Sequence, residues 1–258
     1  MSAHIFAGLD GVERTQKPRR CGLTMVIDWG MGAHAQEDLL ATAADHFDFG
    51  KIAVGVSRLL DSDLLKTKIA AYQQHRIEPF PGGQFLEYAE VHGKTERYLP
   101  AVVQAGYRWV EVSDNLAPVG LDWKQNIIRR AVQDCGLSVF GEVGKKEGLD
   151  NPVPLVDNAR ACLDAGASII LLEAAELVSE DVHTAEDVEA VVRAAGQEKV
   201  MFELPGPWIS GVTHHSIHRM RTELIARYGS DVNLGNVNPA EVISVEAYRR
   251  GLGVNAGG

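Results

Sequence analysis

The sequence predicts a (β/α)₈ barrel built as a single domain. Eight apolar runs of strand length recur along 258 residues, helix-period segments lie between them, and four of those segments end in glycine. Several of the runs are apolar on both faces, as parallel strands covered by helices must be. Glycine just past a helical segment is the usual stop, because it alone enters the left-handed conformation at no steric cost. Strand, helix and glycine repeated over about 250 residues is the pattern of this barrel.

In chain order the first run is "LTMVIDWG" (23–30) and the second "FDFGKIAVG" (47–55), followed by the helical segment "SDLLKTKIAAYQQH" (62–75). The third, "IEPFPGG" (77–83), turns through Gly82 and Gly83 into a helix, and "TERYLPAVVQAG" (95–106) brings the chain to the fourth, "WVEVSDN" (109–115). "WKQNIIRRAVQDCG" (123–136) leads to "SVFGEVGK" (138–145), and "VPLVDNARACLDAG" (153–166) to "SIILLEA" (168–174). The seventh run, "VMFELPG" (200–206), precedes "HSIHRMRTELIARYG" (215–229), and the eighth is "VNLGNV" (232–237). After it Asn238 is placed to cap a helix with Pro239 at its first position and Glu241 in its first turn. An open doubly wound sheet is the competing fold, but no GxGxxG follows the first run and no shift in composition marks a linker. The barrel is expected to span residues 17–252, with an N-terminal extension (1–16) and a flexible tail (253–258).

Composition narrows the function. A net charge of −10 argues against a nucleic-acid surface, which needs a basic stripe. No apolar run reaches the roughly 18 to 20 residues of a membrane span, and the N-terminus lacks the apolar core of a secretory signal, so a cytoplasmic protein is expected. Cys21, Cys135 and Cys162 lie far apart and match no zinc spacing. The expected partner is a small-molecule carboxylate, with no nucleic acid and no membrane; the barrel surface is compatible with a homo-oligomer.

Four glutamates carry the chemical signal. Glu111, Glu142, Glu173 and Glu203 fall in four successive predicted strands, at separations of 31, 31 and 30 residues, about one βα unit each. In a barrel that spacing lines them up toward the C-terminal mouth, where active sites of this fold are built. Four buried carboxylates repel unless some are protonated, paired with lysine or bound to a cation, and a hard ion such as Mg²⁺ suits oxygen ligands. The expected metal set is Glu111, Glu142, Glu173 and Glu203, with Asp28 and Asp114 as rival ligands. The alternative is scaffolding, with the acids bonding backbone amides and Lys51 or Lys145. Lys145 and Lys146 are adjacent, so in an extended segment they point to opposite sides and one of them reaches the chemistry. His214 and His218 stand four apart on a helix; a solvated face is the preferred reading over a metal pair.

"KPRRCGLTMVIDWG", "FDFGKIAVGVS", "PFPGGQFLEYA", "VEVSD", "GEVGKKEG", "MFELP", "DVNLGNV" and "VISVEAYRRGL" together resemble the phosphosulfolactate synthase family, colinearly from about residue 17 to 252. The resemblance implies a (β/α)₈ barrel that adds sulfite to phosphoenolpyruvate with Mg²⁺, giving 2-phospho-3-sulfolactate by way of an enediolate. It implies Lys146 as the acid that protonates the adjacent carbon, with Lys51 and Lys145 as partners of the anionic groups. Substrate contacts are expected in the same motifs, at Trp29, Ser57, Gly82, Gly83, Ser113, Asn233 and Asn236. The chain departs from the family pattern where a cation is replaced by Trp29 and another by Ala175, and where the loop after the seventh strand reads "GPWISGV". Two further readings therefore stand beside the first: a related enzyme taking a larger or unphosphorylated carboxylate against Trp29 and Trp208, and a barrel without catalysis that serves as a binding subunit.

Overall fold

A computed structural model describes residues 5–6, 9, 11–115, 117–144, 153–173 and 182–253, with backbone alone at 182–184. Its eight strands are β1 (Thr24–Asp28), β2 (Phe49–Ile52), β3 (Glu78–Pro81), β4 (Trp109–Val112), β5 (Ser138–Val143), β6 (Ile169–Glu173), β7 (Val200–Glu203) and β8 (Asn233–Val237). All hydrogen-bonded pairs are parallel, in the order β3-β2-β1-β8-β7-β6-β5-β4. β3 and β4 lie beside one another and bring the sheet round to a nearly closed barrel. The (β/α)₈ architecture expected from the sequence is the one observed.

The helical layer comprises α1 (Ala33–Ala43), α2 (Val56–Leu59), α3 (Ser62–Gln74), α4 (Gly83–Val91), α5 (Thr95–Ala105), α6 (Leu121–Gln133), α7 (Leu155–Ala165), α8 (Val182–Ala195), α9 (His214–Tyr228) and α10 (Val242–Arg249). Helices α5 and α7 stop at Gly106 and Gly166, whose φ of 99° and 110° closes the last turn in the left-handed region. Asn238 accepts from the amide of Ala240 and caps the 3₁₀ turn before α10. No helix among the described residues is long and apolar enough to cross a membrane.

Strand alternation divides the core in two. Val26, Ile52, Val110, Val139, Ile170 and Phe202 face outward and bury the helices. Met25, Phe49, Phe80, Phe140, Leu171 and Met201 face inward and fill the barrel. Phe140 is the hub of that interior, with ring centroids 4.6, 4.7 and 5.0 Å from Phe80, Trp109 and Phe49. These residues form a solid floor, so a ligand can enter only from the C-terminal end.

Several ladders end before the apolar runs do, because the chain turns outward to place side chains. The run expected over 109–115 pairs only to Val112, after which Ser113 turns to Glu87 and Asp114 to Lys124. The opposite end is closed by arginines. Buried Arg249 donates to the carbonyls of Ser230 and Leu23 at 2.7 and 3.3 Å. Arg14, inside the expected extension, is buried and paired with Asp231 and Glu246.

Replacing Arg249 with methionine leaves those carbonyls unsatisfied beneath the barrel. We expect a loss of about 2–4 kcal/mol in stability, read as a lower urea midpoint, with no change in ligand binding at the distant mouth.

Candidate active site at the barrel mouth

The inward side chains nearest the C-terminal end are charged. Lys51 on β2 reaches across the barrel and lies 2.8 Å from both Glu111 on β4 and Glu203 on β7. All three are buried, with at most 7% of their surface exposed. The ladder register explains how four glutamates share one level. Glu142 lies two residues beyond the partner of Glu111, Glu173 lies two beyond the partner of Glu142, and Glu203 pairs directly with Glu173. Tilted strands of such a barrel climb by about one residue per strand, so these offsets keep the carboxylates together.

Glu142, Glu173 and Glu203 each offer one oxygen, and the three atoms lie within 4.8 Å of one another. The second oxygen of Glu203, Oε2, is buried without a hydrogen-bond partner among the described residues. Three hard oxygen donors with one orphaned atom, beside a fourth carboxylate and one ammonium, fit a divalent cation such as Mg²⁺. Burial alone would lower the pKa of Lys51, but Glu111, Glu203 and Glu142 outweigh it and hold the ammonium well above its ordinary range. Burial pushes the Glu111 carboxyl up to about 8; Lys51 opposes the shift, while Glu142 and Glu203 reinforce it.

A cavity of 240 Å³ opens above this cluster, walled by Lys51, Glu111, Glu173, Gly82, Gly83, Trp29, Trp208 and Asn236 among others. Gly83 begins α4, and a side chain there would come within 2.8 Å of the Glu111 carboxylate. The backbone approach that places the first turn of α4 at the cavity wall therefore requires glycine. Asn236 holds a left-handed φ of 55° at the end of β8 and faces the same cavity.

Other expected site residues stand elsewhere. Asp28 ends β1 facing the helices: its carboxylate takes the Lys68 ammonium at 2.7 Å, the Tyr72 hydroxyl at 2.8 Å and the amides of Gly30 and Met31. It is thereby satisfied away from the glutamates, and Asp114 is likewise held by Lys124 at 2.9 Å. Asn233 begins β8 rather than ending it, and its amide binds Leu23 N and the Val200 and Glu198 carbonyls at the closed end of the barrel. Ser57 on α2 turns from the mouth to the Tyr107 hydroxyl at 2.8 Å. Ser113 donates to Glu87, which also accepts from Ala117 N. His218 contacts Arg221 and Tyr248 through its two ring nitrogens, which fits the solvated-face reading better than a metal pair. Lys145, Lys146 and Ala175 lie outside the described residues.

Sequence reasoning missed two buried lysines that support the site. Lys124 on α6 donates to the Glu142 carbonyl, to Asp114 and to Asn158, and so ties the mouth end of β5 to α6 and α7. Lys68 on α3 performs the same service for β1 through Asp28 and the Met31 carbonyl. A signal existed for both. Lys124 shares a helix face with Ile127, Ile128 and Ala131, and Lys68 with Leu65, Ile69 and Tyr72, so each is a cation on an apolar stripe.

The sequence profile of the (2R)-phospho-3-sulfolactate synthase (ComA) family matches residues 12–255. The phosphosulfolactate synthase of Methanothermobacter thermautotrophicus is 33% identical over 250 residues, covering 93% of this chain and 92% of that protein. That of Methanocaldococcus jannaschii is 34% identical over 242 residues, covering 90% and 92%. Among solved structures, 3-hexulose-6-phosphate synthase from Salmonella typhimurium superposes with a TM-score of 0.54 at 12% identity, covering 88% of this chain and 99% of that one, a likeness of fold alone.

The raised pKa of Glu111 sets a pH dependence. An acid titrating near 4.5 when unfolded and about 8 when folded contributes stability that is complete below 4.5 and is lost as pH rises through about 8. In metal-free buffer the urea midpoint should fall between pH 5 and 8.5. In Glu111→Gln, which cannot ionise, the decline should be shallower.

Proposed function

The chain belongs to the (2R)-phospho-3-sulfolactate synthase family, and from that premise we propose that it adds sulfite to phosphoenolpyruvate to give 2-phospho-3-sulfolactate. The observation that carries this reading is the convergence of Glu142, Glu173 and Glu203 beneath a cavity walled by Lys51 and Glu111. These three glutamates would hold Mg²⁺; when bound, the ion supplies positive charge against the negative charge that grows on the substrate carboxylate.

In the reaction the sulfur lone pair of sulfite forms a bond to the terminal carbon of the enol phosphate, and the displaced π pair moves toward the carboxylate as an enediolate. A proton delivered to the adjacent carbon completes the addition, and no group leaves. By the resemblance, Lys146 donates that proton and Lys145 meets an anionic group; both follow within four residues of Glu142 in the chain. Lys51 stays charged between Glu111 and Glu203 and lowers the repulsion an incoming anion meets. The first amides of α4, at Gly83 and Gln84, stand at the cavity wall and suit an anionic oxygen. The aromatic floor below excludes bulk water from beneath the cluster.

A second reading keeps this chemistry for a larger or unphosphorylated carboxylate. It is favoured by the paired indoles of Trp29 and Trp208 at the rim, and by Lys51 being the lone Lys or Arg among the described residues lining the cavity. The reading as a non-catalytic binding subunit is weaker, since buried carboxylates gathered beneath an open cavity are costly to keep in a fold that makes no use of them.

Wild-type protein given phosphoenolpyruvate, sulfite and Mg²⁺ should form product detectable by mass spectrometry, and Lys146→Ala should be slower by about 10²-fold or more. Full turnover in that variant would remove the lysine from the mechanism. Mg²⁺ should also raise the melting temperature of the wild type, and Glu203→Gln should weaken that rise; no rise in either protein would favour the non-catalytic reading.

A further inference from the structure

A second cavity, of 430 Å³, adjoins the one above the glutamates. The two share Ile27, Trp29, Leu204, Pro205, Trp208 and Asn236, so these residues form the partition between them. Beyond the partition the walls include Met31, Pro207, Ile217 and Pro239, with His214 and Asn238 as neighbouring polar groups. No lysine or arginine among the described residues lines this side. Its two carboxylates are already engaged, Asp28 by Lys68 and Tyr72, and Glu241 by Arg221 at 3.6 Å.

The partition is aromatic and partly uncovered. Trp29, after β1, and Trp208, after β7, meet with ring centroids 5.2 Å apart, tilted by 58°, yet remain 49% and 46% exposed. The indole of Trp208 lies directly over Gly206, where a side chain would collide with the ring and displace it. Large aromatic surfaces paired with each other but open to solvent beside a charged cluster mark a surface that a ligand covers.

We propose that this second cavity is a subsite for an apolar, uncharged group, aromatic or branched aliphatic, carried by a substrate whose carboxylate lies over the glutamate cluster. This rests on the second reading above, in which the mouth takes a larger or unphosphorylated carboxylate, and names the chemistry of the remainder of that substrate. Mostly apolar walls, two carboxylates and no lysine or arginine among the described residues disfavour a second anionic group there, because a phosphate entering would lose its hydration with no fixed positive charge to replace it.

The test is calorimetric titration of the full-length protein in Mg²⁺ with phenylpyruvate and with pyruvate, which differ only in the phenyl group. Phenylpyruvate should bind about tenfold or more tightly, as expected for burying a ring of that size. Ile217→Asp, which places a carboxylate in the second cavity without touching the glutamates, should erase that preference while leaving pyruvate binding and the Mg²⁺ melting shift unchanged. Where that variant does not fold, Gly206→Ala, which displaces Trp208, should reduce the preference in the same direction. Equal affinities, a preference that survives both substitutions, or no binding of either acid to protein that Mg²⁺ stabilises would overturn the proposal. A phenyl preference with no product from phosphoenolpyruvate and sulfite would keep the subsite and discard the proposed reaction; product without a phenyl preference would do the reverse.

Discussion

The buried ion cluster around Lys51 is the constraint on which the mouth of this barrel depends. One ammonium lies 2.8 Å from two carboxylates, and two further glutamates share the same dry ring. Buried charge is tolerated only where it is compensated: Lys51 serves Glu111 and Glu203, and Glu142 and Glu173 have partners of their own. Burial and crowding are expressed in the raised pKa of Glu111, and a divalent cation would relieve the crowding. A cluster held under this electrostatic load responds to the arrival of a cation or of a second carboxylate, which suits a binding site more than a structural post.

That load reaches into the helical layer. Strand ends carrying charged residues must be held against repulsion, and the chain does so with cations drawn from the apolar faces of helices. Lys124 fixes the carbonyl of Glu142, and Lys68 fixes Asp28 and the Met31 carbonyl. Both ammonium groups are buried and both have oxygen partners close by, which is the condition for burying a lysine without a large cost. The mouth is therefore supported by polar ties from α3 and α6, while the floor is supported by packing of aromatic rings. The two solutions divide the barrel into a rigid apolar half and a charged half aimed at solvent.

Membership of the phosphosulfolactate synthase family and the local chemistry of the rim bear on different questions. The charged elements lie on the strands: Lys51, Glu111, Glu142, Glu173 and Glu203 all face the axis from the barrel wall. Trp29 and Trp208 lie in loops, where the rim is aromatic and a second cavity opens beside the first. Strands set the reacting geometry of such a fold, and loops set what is admitted.

The sequence by itself determined the eight strands, the barrel and the level of the four glutamates, because alternation, βα repeat length and glycine stops are local properties that survive in one dimension. It also placed Lys51 among the acids. It did not determine which acids meet. Asp28 and Glu203 both end strands and read alike in the sequence, yet one faces the helices and the other the axis, a difference of a single residue of strand phase. Asn233 and Asn236 belong to one short run, but they sit at opposite ends of β8, and the direction of the strand within the barrel decides which one can touch a ligand. Lys124 and Lys68 stand out in the sequence only as cations on apolar helix faces, and their partners are set where the helices meet the strands. Only the closed barrel sets those distances, because contacts between residues tens to hundreds of positions apart arise from the packing of layers and not from the pattern of any one segment.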